Sequence, residues 1–146
     1  MPLSPLSNLR IRRTYTIHCI LIILIISITA CAETGGTYPD AAFFSKGITI
    51  IDIRTELEWQ STGIIKGSKT ITFFDENGEY DLAKFRQQLD QIIDPDEEFA
   101  IICRSGHRTR VAAQFLTQEG YKVIDIQGGV QYLPKIGIKL VQYPDK

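Results

Sequence analysis

The sequence is poor in the residues that build metal centres and disulfide frameworks. Its 146 residues include three cysteines, Cys19, Cys31 and Cys103, and two histidines, His18 and His107. No two cysteines form a C-x-x-C pair and the histidines lie far apart, so neither a zinc site nor a disulfide scaffold is expected, and no metal or cofactor is implied. Charge of one sign is not in excess either. The 16 Lys and Arg stand against 17 Asp and Glu, a formal charge of −1 that gives no electrostatic case for nucleic acid as a partner. Repeats and low-complexity tracts are absent. With 44% hydrophobic and 23% charged residues, the composition excludes a collagen, a coiled coil and a disordered tail, and the length points to a single core.

The charge is unevenly spread. Arg10, Arg12 and Arg13 are the only charged residues before Glu33, so the rest of the chain carries 13 of the 16 basic side chains against all 17 acidic ones. Those arginines precede the most hydrophobic run, Ile17 to Ala30 (IHCILIILIISITA), which small residues follow. A basic start, an apolar stretch and a small-residue end are the three parts of a bacterial-type signal peptide. A membrane-spanning helix needs ~20 apolar residues, more than this run offers. The plain alternative, a buried core helix, fits poorly because the segment has no polar face. Ile28-Thr29-Ala30-Cys31 moreover resembles the lipobox of bacterial lipoproteins. That resemblance implies cleavage before Cys31 and a lipid on its thiol, with acyl chains holding the protein on a bilayer. Cleavage after Ala32, since Ala30-Cys31-Ala32 satisfies A-x-A, and an uncleaved N-terminal anchor remain open. The expected organisation is an export segment over 1–30, a lipid-anchored tether over 31–38 and a folded domain over 39–146. The expected place is a bacterial membrane, facing the periplasm or the outside. A soluble periplasmic or N-terminally anchored protein is the alternative.

Beyond the tether, helical and strand periods alternate, as in an α/β domain. Pro39 to Lys46 reads as a short helix with Pro at its start and Gly47 past its end. Ile48 to Ile53 is an apolar, β-branched strand of the kind buried in a parallel sheet. Thr55, with Glu58 three residues on, opens one or two helical turns through Gln60. Lys69 to Phe74 reads as a second strand, followed by a turn at Asp75-Glu76-Asn77-Gly78. Asp81 caps a helix through Ile93 with Leu82, Phe85, Leu89, Ile92 and Ile93 on one face. Phe99 to Ile102 and Lys122 to Ile126 complete the strands. Helices are expected over Thr109 to Glu119, ended by Gly120, and over Val130 to Ile136.

The chemistry gathers in Cys103-Arg104-Ser105-Gly106-His107-Arg108-Thr109, where the third strand meets its helix. Ligands bind at the carboxyl ends of strands in open parallel sheets. A cysteine there lies under a loop whose N–H groups converge and at the positive end of a helix. Both effects, with Arg104 and Arg108 beside it, favour the nucleophilic thiolate. The bland alternative is a structural cysteine ending an apolar strand, which has no need of two arginines, a glycine and two hydroxyl residues alongside.

Several separated motifs together resemble the single-domain rhodanese family of sulfurtransferases over roughly Tyr38 to Val141. Ile51-Asp52-Ile53-Arg54 is similar to its D-x-R, and Glu58-Trp59 with Gly63-x-x-x-Gly67 to its E-[FY]-x-x-G-H-I-x-G-A segment. Cys103 to Thr109 is similar to its C-R-S-G-x-R-[ST] loop, and Gly128-Gly129-Val130 to its late G-G-[IV]. Ile64, Ser68 and Leu133 depart from the family's usual histidine, alanine and tryptophan, which bears on substrate preference more than on chemistry. The resemblance implies a three-layer α/β fold with a mostly parallel central sheet of about four to five strands flanked by helices. It implies that Cys103 takes sulfane sulfur from a donor such as thiosulfate or a persulfide, holds it as a persulfide, and passes it to cyanide, a small thiol or a protein acceptor. N–H groups from Arg104 to Thr109, including Ser105, Gly106 and His107, would stabilise the anionic sulfur. Arg108, with Arg104, would bind a sulfite-like leaving group. Asp52 and Arg54 would brace the loop and the fold. His107 shows no partner that would make it a general base. With Cys19 and Cys31 removed or lipidated, Cys103 would be the one free thiol, so an external acceptor is required.

Two other classes compete. A cysteine phosphatase or arsenate reductase uses a C-x5-R loop, whereas position 109 is threonine and the spacing here is C-x4-R. A non-catalytic sulfur-binding, redox-sensing or docking module is the remaining alternative, against which the retained cysteine and its whole loop argue.

Overall fold

A computed structural model describes residue 36 and residues 38–144. The export segment, Cys19, Cys31 and most of the tether lie outside the described residues. Among the described residues no helix is long and apolar enough to cross a membrane.

The β-branched run after Gly47 forms β1 (Thr49–Asp52). It lies between β3 (Lys69–Thr70) and β4 (Glu98–Ile102), and β5 (Lys122–Asp125) completes a four-stranded sheet ordered β3-β1-β4-β5. All three pairings are parallel. Alternation along the strands divides the core in two. Ile51, Ile53, Phe99, Ile101 and Cys103 face helices α2 (Leu82–Leu89) and α3 (His107–Gln118), meeting Phe85, Leu89, Ala112 and Leu116. Ile50, Ala100 and Ile102 face the other way, onto Phe43, Val130 and Leu133. Because both faces are covered, the strands read as continuous apolar runs, and the layers number three.

Some boundaries differ from expectation for local reasons. The helix expected over residues 39–46 is only a 3-10 turn at Phe43–Ser45, opened by the Asp40 carboxylate accepting from the Phe43 N–H; the segment is too short to pay helix nucleation. Pairing of β3 stops at Thr70, although Ile71 and Phe73 still donate to the carbonyls of Asp52 and Ile53, so the chain follows β1 without a full ladder. Helix α2 ends at Leu89, and turns then carry Ile92 and Ile93 back onto it. Helix α3 begins at His107, earlier than expected, because Gly106 takes the left-handed N-cap position that starts it. The last helix splits into α4 (Gly129–Tyr132) and a 3-10 turn, Leu133–Ile136, where Pro134 contributes no N–H. A ribbon of β2 (Ile64–Ile65) and β6 (Leu140–Val141), paired antiparallel, was not expected; two-residue strands leave no readable period.

The capping box at Thr55 and Glu58 starts α1 (Glu56–Thr62) as its sequence implies. Its far end is held by Arg54. That guanidinium, 1% exposed, binds the fully buried Asp52 carboxylate at 2.7 and 2.9 Å, the Thr62 hydroxyl at 2.6 Å and the Gly63 carbonyl at 2.7 Å. Every charged atom of the pair has a partner, the condition under which burying an ion pair is tolerable. Arg54→Met should therefore strand the Asp52 charge and cost about 3–5 kcal/mol in urea unfolding. A loss below about 1 kcal/mol would show that the pair bears no weight.

Candidate active site

Strand β4 delivers Cys103 to the carboxyl edge of the sheet, fully buried. Its Sγ accepts the Gly106 N–H at 3.2 Å and lies 3.8 Å from the Thr109 hydroxyl oxygen. That hydroxyl donates to the Gly106 carbonyl at 3.1 Å, so sulfur, threonine and glycine close a small ring at the start of α3. Gly106 has φ +94°, and a Cβ there would stand 3.0 Å from the Gly128 nitrogen. Only glycine allows both the turn and the approach.

The outer side of the loop rests on α4. Val130 N–H donates to the Cys103 carbonyl at 2.8 Å and Gln131 N–H to the Arg104 carbonyl at 3.1 Å. A Cβ on Gly129 would lie 2.4 Å from that Cys103 oxygen. This gives the Gly128-Gly129 pair a physical reason: α4 must bring its free N–H groups directly against the loop backbone.

Arg108 is the loop's half-buried cation. Its two terminal nitrogens grip both oxygens of Glu58 at 2.6 Å each, joining α1 to the start of α3. Arginine is raised by hydrogen bonding to Glu58, against burial, and further by the Glu58 charge and by Cys103, which is close enough to act on it. Burial pushes the Glu58 carboxyl up, but the Arg108 hydrogen bonds, the Thr55 N–H and the Arg108 and Arg54 charges outweigh it and hold it below its ordinary 4.5.

Of the expected site residues, the structure brings Cys103, Gly106, Arg108 and Thr109 together. Arg104, Ser105 and His107 are exposed on the loop, with no side-chain hydrogen bond among the described residues. Asp52 and Arg54 do not bond the loop. They hold α1, whose Glu58 holds Arg108, so any support they give is indirect. The structure also shows Arg108 tied to a carboxylate rather than free for a leaving group. Two residues escaped the sequence reading. Glu58 was read as a capping residue and as part of the Glu58-Trp59 motif, and neither its position three after Thr55 nor the motif gave any sign of the bond to Arg108. Asp125, 6% exposed at the end of β5, has one oxygen buried without a partner among the described residues. Burial raises its carboxyl, opposed by the neighbouring Thr109 hydroxyl and the Arg110 charge. An acid closing the apolar run KVIDI was the available signal.

The Glu58 pair has a pH consequence with a definite sign. A carboxyl lowered on folding adds stability that is complete above its unfolded value and lost as pH falls through the folded one. Glu58→Gln should lower stability at neutral pH and flatten the stability decline below about pH 4.5. Chemical denaturation of both proteins across pH 3–7 checks this; parallel curves would show that Glu58 makes no such contribution.

The geometry agrees with comparison to known proteins. The rhodanese-like domain profile matches residues 40–133. A crystal structure of a rhodanese-related protein from Thermoplasma volcanium superposes with a TM-score of 0.55 at 28% identity, covering 71% of this chain and 96% of that one. A protein of Bacillus subtilis named putative sulfurtransferase YtwF is 35% identical over 40 residues, 27% of this chain and 39% of its own length. An uncharacterized protein of Rickettsia conorii is 37% identical over 79 residues, 50% of this chain and 60% of its own. The chain thus spans less than two thirds of the length of these curated relatives. The four parallel strands, the cysteine loop seated on the glycine pair and the profile match lead to one conclusion: the chain belongs to the rhodanese-like domain family.

Proposed function

We propose that the protein is a sulfurtransferase working through a Cys103 persulfide. The observation that carries this reading is the Cys103 sulfur itself, buried at a helix start with the Gly106 N–H donating to it and the Thr109 hydroxyl beside it. In the first step the thiolate attacks the outer sulfur of thiosulfate; the S–S bond to the sulfonate breaks and its electron pair leaves with sulfite. In the second, cyanide or a thiolate attacks the terminal sulfur, and the electron pair of the persulfide bond returns to Cys103. Sulfur is anionic at both ends of the cycle, so the Gly106 N–H and the dipole of α3 serve throughout without rearranging, while the Thr109 hydroxyl, whose proton goes to the Gly106 carbonyl, has to turn before it can donate to sulfur. Arg108, fixed by Glu58, contributes a positioned charge, and exposed Arg104 is the freer cation for meeting the donor. Cys103 is the free cysteine among the described residues, so the acceptor comes from outside: cyanide, a small thiol or a protein.

The intact mass of the full chain, before and after thiosulfate, tests this. A gain of one sulfur, absent in Cys103→Ser and removed by cyanide with release of thiocyanate, is expected. No gain, with the thiol still open to alkylation, would leave a non-catalytic docking or redox-sensing module.

We also propose that residues 1–30 direct export in a bacterial cell and that Cys31 carries the lipid that holds the domain to the membrane. The support is the order of Arg10 to Arg13, the apolar run and Ile28-Thr29-Ala30-Cys31. Labelled palmitate should enter the protein and be lost in Cys31→Ser. Labelling that persists in that variant would place the lipid elsewhere.

A further inference from the structure

The chemistry described so far leaves one buried acid unused. Asp125 is the last residue of β5 and 6% exposed. It is the register partner of Ile101, and partners in a strand pair point to the same face, so its carboxyl stands on the face that carries Cys103 and meets α3. From α3 the Thr109 hydroxyl lies beside that carboxyl, and the Arg110 charge reaches it. From the tether, Gly36 closes over it so tightly that a Cβ there would lie 2.5 Å from Asp125 Oδ2 and 2.6 Å from the Gln127 side chain. The neighbours from β4, the tether and the chain after β5 are thus the uncharged Ile101, Gly36 and Gln127, which leaves Arg110 as the charge acting on the acid.

Thr109 joins this acid to the nucleophile. Its fully buried hydroxyl lies 3.8 Å from the Cys103 sulfur and 3.1 Å from the Gly106 carbonyl, with the Asp125 carboxyl as its third neighbour. A hydroxyl has one proton to give, so these three acceptors compete for it. An ionised Asp125 draws that proton or leaves it on Gly106, and either way the sulfur faces oxygen lone pairs. A protonated Asp125 donates to the Thr109 oxygen instead, and the hydroxyl is then free to turn its own proton to an anionic sulfur, a stronger acceptor than the neutral carbonyl. Burial raises the Asp125 carboxyl above its ordinary 3.8, against Thr109 and Arg110, which favours the protonated form.

We propose that Asp125 is a positioning residue for the Cys103 nucleophile: protonated, it directs the Thr109 hydroxyl toward the sulfur, and ionised, it directs the hydroxyl away. The proposal deepens the reading of Cys103 as a sulfur carrier and rests on it. One hydroxyl turns, and the proton on the carboxyl is exchanged with water; no other covalent bond changes. The carboxylate and the sulfur anion therefore oppose each other through a single side chain, with Arg110 on the acid's side and Arg108 on the sulfur's.

The test is the ultraviolet absorbance of the thiolate against pH, taken for the full chain as the difference from its Cys103→Ser counterpart. Asp125→Asn keeps the shape and donates to the Thr109 oxygen as the protonated acid does. It should move the profile roughly one unit to lower pH, about tenfold more thiolate at a fixed pH on the rising limb. In a Thr109→Val background, which fills the space without the hydroxyl, that shift should largely vanish, and in Thr109→Ser it should return. An Asp125 that only supports the fold would change stability and leave the profile in place. If Asp125→Asn fails to fold, the unaltered protein serves: the Asp125 carboxyl carbon, followed by NMR, should show a second inflection as Cys103 ionises, absent in Cys103→Ser. Equal profiles with and without the carboxylate, a shift undiminished in Thr109→Val, or a carboxyl carbon blind to Cys103 would overturn the proposal. Sulfur uptake from thiosulfate, read by mass on the same proteins, separates the two readings. Uptake without the shift removes only the role of Asp125, and a shift without uptake removes only the transfer.

Discussion

The site depends on where the peptide units after β4 point. An N–H turned toward the Cys103 sulfur belongs to a loop whose neighbouring carbonyls turn outward, and buried carbonyls require donors. Helix α4 meets that demand, with Val130 and Gln131 donating to the carbonyls of Cys103 and Arg104. The arrangement works only if two backbones touch, which explains why Gly129 cannot carry a Cβ and why Gly106 lies against Gly128. Loop and glycine pair are therefore one device, though most of α3 and all of strand β5 separate them in sequence.

The electrostatic half of the site is built from the opposite side. Arg54, with its buried carboxylate partner, holds the end of α1, and α1 presents Glu58 to Arg108. An arginine held at two nitrogens keeps its plane and its place, which a free surface arginine would not. Glu58 therefore serves twice, closing a capping box at Thr55 and fixing the Arg108 guanidinium of the cysteine loop. The charge on Arg108 is partly spent on Glu58, so its remaining effect on the sulfur is that of an oriented dipole as much as of a bare cation.

The fold class, the four parallel strands and the position of Cys103 were legible because each rests on local pattern. Apolar alternation on buried strands, glycines at turns and a cysteine before a glycine-containing loop are all written within a few residues. The ribbon of β2 and β6 was illegible because its strands are two residues long and far apart in sequence. The Glu58 to Arg108 pair spans fifty positions, and the Trp59 nitrogen and the one Asp125 oxygen that lack a partner among the described residues are defined by what surrounds them in space. Motif resemblance placed Glu58 in the right segment and Gly129 in the right turn. It gave neither the clamp nor the carbonyl contact, which are properties of packing.

Full burial of Cys103 then sets a condition on any chemistry there. A thiol closed beneath its loop is shielded from bulk oxidants, a benefit in an oxidising compartment, yet a donor must still reach it. Three sides are fixed: the sheet below, α3 behind, and α4 against the loop carbonyls. The remaining side is the one where Arg104, Ser105 and His107 are exposed and have no side-chain bonds among the described residues. Any opening is least costly there, since moving those side chains breaks no buried hydrogen bond, whereas moving Arg108 or Gly106 does. On the proposed function, the residues that the loop leaves unbound are the ones that would meet donor and acceptor, while the bonded ones hold the sulfur in place.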